Sequence, residues 1–173
     1  MTRKTRMTRI RQTILAFAFC TVAVHAQPKG HRPPDASLTQ AIHKALPAGA
    51  TEVNKPLAIV FPPLGKIHVV LYRKSSDDRQ VRSLVFLPNN QPAPLPETPS
   101  SDEEIATAVF SARTPGSRAL VVLFYTHASD NSGSQAHGHV YIYQSGAFQL
   151  DRRLSQKLEG VRTAAVARLK LAE

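Results

Sequence analysis

The chain has 173 residues, 42% of them hydrophobic, with one cysteine, no tryptophan, and 22 lysines and arginines against 12 acids. That length suits one domain able to build its own core, and a lone cysteine excludes an internal disulfide framework and a zinc–thiolate cluster. The formal charge of +10 would suggest a polyanion partner, but five of the basic residues stand at the very start of the chain, where they have another reading.

Arg3, Lys4, Arg6, Arg9 and Arg11 precede an uncharged run over 13–24 that contains Ile14, Leu15, Phe17 and Phe19. Val24-His25-Ala26 then offers the modest side chains that a signal peptidase accepts. Positive, apolar and cleavable segments in that order predict a secretory signal peptide over 1–26, cut after Ala26 and exported to a bacterial periplasm. Arg9-Ile10-Arg11 is not a twin-arginine pair, so the general secretory route is expected. The run falls short of the roughly 20 apolar residues that span a bilayer, and no transmembrane segment is expected after cleavage. Cleavage removes Cys20 and five of the 22 basic residues but no acid, leaving 17 against 12. An exported chain with so modest an excess is not expected to bind nucleic acid.

A flexible leader is expected over 27–34, followed by a single α+β domain over 35–173. Asp35 or Ser37 can cap a short helix whose Leu38, Ile42 and Leu46 recur at helical spacing, with Pro47 and Gly49 ending it. Apolar β-like runs at 57–61, 67–72 and 81–87, separated by Pro62-Pro63-Leu64-Gly65 and by Ser75 to Asp78, predict a three-stranded meander. Pro88, Pro92, Pro94, Pro96 and Pro99 make 88–99 a proline-rich connection, excluded from helix and from central strands. Ser101 with Glu104 reads as a capping box, which favours a helix over 105–111. The run 118–126 is the clearest strand; after a polar loop a second runs over 139–144, and Ser145-Gly146 turns it into 148–150. The tail 161–171 fits a helical stripe and a strand face equally. The expected fold is therefore α+β: an antiparallel, meander-like sheet with one or more helices packed on the face bearing Leu120, Val122 and Phe124.

Side chains two apart on a strand share a face, which groups His137, His139, Tyr141 and Tyr143. A hairpin with His127 opposite His137 would add Tyr125 to that face. It would also draw His127, His137 and His139 together, with Asp130 in the loop as a fourth donor, a set suited to zinc or copper. The plainer reading makes these histidines polar residues rimming a partly solvated sheet. Rigid amphipathic tyrosines suit recognition, and Arg152 and Arg153 after the next strand would favour an acidic partner.

Catalysis has less support. There is no G-x-S-x-G elbow, H-E-x-x-H pair or phosphate loop. His127, Asp130 and Ser132 or Ser134 can be drawn as a hydrolytic set, but they share one loop, whereas a triad needs rigid elements to position it. The expected function is a non-catalytic periplasmic module that binds another exported protein, of inhibitor or immunity type. It would bind through Tyr125, His127, His137, His139, Tyr141, Tyr143, Arg152 and Arg153 and need no cofactor. The alternatives are a metal-binding protein using His127, His137, His139 and Asp130, and a small periplasmic hydrolase.

Overall fold

The computed structural model describes residues 35–96, 103–127 and 133–173. Contacts divide the chain into two units, Met1–Arg32 and Pro33–Glu173, and every described residue belongs to the second. The expected signal peptide and leader, Ser101, Asp130 and Ser132 lie outside the described residues.

Asp35 opens the first helix, α1 (Ala36–Ala45), its carboxylate accepting from the Ser37 amide at 3.2 Å. Leu38 and Ile42, one turn apart, are its buried stripe. The first sheet takes β1 (Thr51–Glu52), β2 (Leu57–Phe61), β3 (Gly65–Arg73), β4 (Arg82–Phe86) and β5 (Pro92–Pro94), all antiparallel. β3 and β4 are central, while β1 and β2 share one side of β3. The proline-rich connection thus contributes β5, an edge strand, the position where missing amide donors do least harm. The second sheet is a pure meander of β6 (Glu103–Thr114), β7 (Ser117–His127), β8 (Ser134–Gln144) and β9 (Ala147–Leu150). α2 (Arg152–Gln156) and α3 (Ala164–Ala172) follow, each with a side-chain N-cap, from Asp151 and Thr163.

The expected α+β class and antiparallel meander are present, but the strands form two sheets and the layers run helix, sheet, sheet, helix. Ile67, Val69 and Leu71 of β3 meet Leu120, Val122 and Phe124 of β7 in the core between the sheets. Val70, Leu84 and Phe86, on the other face of the first sheet, pack on α1. Ala119, Val121 and Leu123, on the other face of β7, pack with Leu158, Val161, Ala167 and Leu171 of the C-terminal region. The helices therefore cover the face opposite to the one expected. A strand buried on both faces shows an unbroken apolar run, as 119–124 does, and such a run does not say which layer lies on which side. At Gly138 of β8 a Cβ would stand 2.7 Å from Leu158 Cδ1 and 2.8 Å from Leu123 Cδ2, so glycine is what lets Leu158 reach the sheet.

The helix expected over 105–111 is strand β6. Its register on β7 slips between Ala106 and Ala108, and the hydroxyl of the extra residue, Thr107, donates to the Leu123 carbonyl at 3.3 Å. Before the slip, even-numbered residues such as Glu104 and Ala106 face the first sheet; after it, odd-numbered ones such as Val109 and Ser111 do. A bulge of this kind erases the period of two that marks a strand. The ambiguous tail is helix from Ala164. Ser145 and Gly146 take φ of 52° and 83°, the left-handed pair of a tight two-residue hairpin. At one corner the two sheets meet, where the Ser111 hydroxyl donates to the Val60 carbonyl at 3.1 Å.

Candidate functional site

The pairing of β7 with β8 decides where the aromatic and imidazole side chains go. His127 lies opposite Ser134, Phe124 opposite His137, Val122 opposite His139 and Leu120 opposite Tyr141. The expected pairing of His127 with His137 is off by three residues, and an odd slip moves every side chain to the other face. His137, His139 and Tyr141 consequently share the inter-sheet face with Phe124, and Tyr141 is only 3% exposed. Tyr125 and His127 point to the opposite face, their rings edge to face at 5.4 Å. The anticipated open face of tyrosines and histidines does not form.

What forms instead is a ladder of rings between the sheets. The Phe124 and His137 rings stack at 5.3 Å, the His137 and His139 rings lie 5.3 Å apart, and His139 and Tyr141 meet edge to face at 6.2 Å. Glu104, 3% exposed, reaches in from β6. One carboxylate oxygen accepts from the Val81 amide at 3.3 Å, and the other lies 3.8 Å from His137 Nε2. Burial holds both imidazoles below their ordinary pKa, His139 down to about 4, with the charge of His137 adding to the effect on His139. Burial, with the Glu104 charge, pushes the Tyr141 phenol up. Both histidines are therefore neutral at pH 7. A cavity of about 20 Å³ lies here, lined by Arg82, Glu104, Phe124, His139 and Tyr141. That is space for about one water.

Arg82 bonds Asp78 and, at 3.0 Å, Gln80 on the rim of this cavity. Burial opposes the charge of Asp78, yet bonds from the Gln80 amide, Arg82 and the Lys74 amide keep its carboxyl below the usual carboxylate range. The expected metal set is not brought together, because His127 faces away from His137 and His139. Among the described residues no group of three or more His, Cys, Asp or Glu is placed to hold a metal ion. Of the drawn hydrolytic set, Ser134 Oγ and His127 Nδ1 lie 2.8 Å apart, at an exposed end of the hairpin rather than in a closed site. Arg152 and Arg153 are exposed in the first turn of α2.

The opposite end of the sandwich carries an open groove of about 300 Å³, lined by Phe61, Pro62, Pro63, Ser117, Arg118 and Tyr143. Two tight connections and a strand end build it: the β2–β3 turn with its prolines, the residues past the β6–β7 turn, and Tyr143 near the end of β8. Phe148 of β9 props its aromatic members from below, 5.0 Å from the Tyr143 ring and 5.7 Å from that of Phe61. Of the expected binding residues only Tyr143 takes part. The consecutive Phe61-Pro62-Pro63 and the distant Arg118 and Tyr143 are not legible as a set, since they converge from separate strands; the one local signal is a double proline closing an apolar run. Glu104, read as half of a capping box, is instead a buried acceptor on a strand. Comparison with protein-family models, curated proteins and solved structures finds no match.

Proposed function

We propose that this chain is a non-catalytic module that binds another protein, acting in the periplasm after export, as an inhibitor or immunity-type partner. The observation that carries the reading is the groove: an exposed pair of prolines and the half-buried Tyr143 over the buried Phe61, with Arg118 at its rim, mounted on the ends of two sheets. Its volume falls at the small end of the roughly 300–1,000 Å³ typical of ligand pockets, which suits one or two side chains of a partner. Aromatic anchors in such a pocket are where binding energy concentrates. The inter-sheet cavity, with space for about one water, has no such capacity.

The test pairs localisation with capture. N-terminal sequencing of the product from the host's periplasm is expected to begin at Gln27; a start at Met1 or Met7 contradicts export with cleavage. Crosslinking in the same compartment should trap one partner on the wild-type protein and lose it on Tyr143→Ala, with both proteins showing the same circular dichroism. Equal capture by the variant moves the interface away from the groove.

A further inference from the structure

The groove end of the sandwich is electrostatically one-sided. The residues around it, 57–67, 109–122 and 140–150, contain no aspartate or glutamate, yet they place Lys66, Arg113 and Arg118 there. The acids Asp77, Asp78, Glu103 and Glu104 gather at the other end, beside Arg73, Arg79 and Arg82. Arg113 and Arg118 are direct cross-strand partners on β6 and β7. Like charges placed opposite each other destabilise a sheet. Among the described residues neither arginine makes an ion pair. Both stand on the same side of their sheet as Leu120 and Tyr143; Arg118 lines the groove, and Arg113 lies beside it on β6.

We propose that the groove selects an acidic, extended segment of its partner, in which an apolar side chain packs on Pro62, Pro63 and Tyr143, above the buried Phe61, while flanking carboxylates pair with Arg118 and Arg113. This rests on the groove reading above and specifies its ligand. The arginine fork donates two parallel hydrogen bonds to a carboxylate, whose charge offsets the repulsion between the paired arginines. Lys66 adds to the attracting field within a Debye length of about 8–10 Å, which raises encounter rate more than affinity.

The probe is a fluorescent pentapeptide of phenylalanine flanked by two glutamates on each side, followed by anisotropy against the full chain. Controls replace the glutamates by lysines or the phenylalanine by alanine. The acidic peptide is expected to bind, more weakly as salt rises, and both controls to bind about tenfold less tightly or worse. Arg118→Glu and Arg113→Glu are each expected to weaken it by about tenfold or more while leaving Tm unchanged or raised, since each turns a repulsive cross-strand pair into an attractive one. A loss of binding accompanied by that Tm response cannot come from unfolding. Equal binding of the lysine peptide, no binding of the acidic one, tighter binding to phosphatidylglycerol vesicles, or displacement by a second copy of the chain overturns the proposal. If the crosslinked partner survives both arginine changes but is lost with Tyr143→Ala, the acidic class alone falls. If it survives all three, the groove falls with it.

Discussion

The Glu104 carboxylate lies 3.8 Å from His137 Nε2, yet His137 stays below its ordinary pKa. The separation is too long for a hydrogen bond, so the attraction does not repay what burial takes from the imidazolium. Glu104 has a firmer duty as the acceptor for the Val81 amide.

Replacing that acceptor separates its hydrogen-bonding role from its charge. Glu104→Leu is expected to destabilise the fold by about 1–3 kcal/mol, because the Val81 amide is left without a partner between the sheets. Glu104→Gln keeps an acceptor of the same length and should lose less than half as much. Urea unfolding of the two variants side by side tests this. Equal losses would assign the effect to charge instead.

The buried imidazoles make stability depend on pH in a defined window. Their folded pKa values lie below the unfolded value of 6.5, so the unfolded chain binds more protons between them. Their contribution is complete above about pH 6.5, falls as pH drops towards about 4, and levels off below that. For His139 the full fall is on the order of 3 kcal/mol. His139→Phe removes the group and should flatten the curve over that window relative to wild type, with the carboxylates cancelling in the comparison. Parallel curves for the two proteins would show that His139 does not titrate as its burial implies.

Gly138 and Leu158 are expected to be coupled. Gly138→Ala forces a Cβ into the Leu158 side chain and should lose about 1–3 kcal/mol by overpacking. Leu158→Ala alone, at a fully buried position, should lose about 2–5 kcal/mol. The double variant should lose clearly less than the sum, since each change makes room for the other. Strict additivity in a thermal or urea double-mutant cycle would mean that the two residues do not meet.

Much of the fold is legible because burial writes directly into the sequence. Residues 119–124 announce a strand, and Asp35 with Leu38 and Ile42 announces a short amphipathic helix. What the chain conceals is relational. Thr107 hides β6 by resetting its alternation halfway along, and Ser101 with Glu104 supplies a false helix start. The partner of a strand face is not encoded in that face, so Leu120, Val122 and Phe124 announce burial without saying whether helix or sheet covers them. The site was harder still. An assumed pairing three residues out turns Tyr141 from a buried residue into an apparent binding one, while the three stretches that build the groove, at 61–63, 117–118 and 143, are separated by tens of positions along the chain.

The contact between Ser111 and Val60 has a consequence for how the molecule lives among its neighbours. β2 lies at the margin of its sheet, and Val60 keeps a side chain that is 70% exposed. An exposed apolar strand at a sheet margin is the kind of surface on which a foreign chain can nucleate a misassembled ribbon. Here the Val60 carbonyl already serves Ser111, and Pro62 and Pro63, immediately past the strand, lack amide hydrogens to offer. The corner that fastens one sheet to the other thereby occupies one acceptor of this margin, and the two imino acids past it offer an intruding strand no donor.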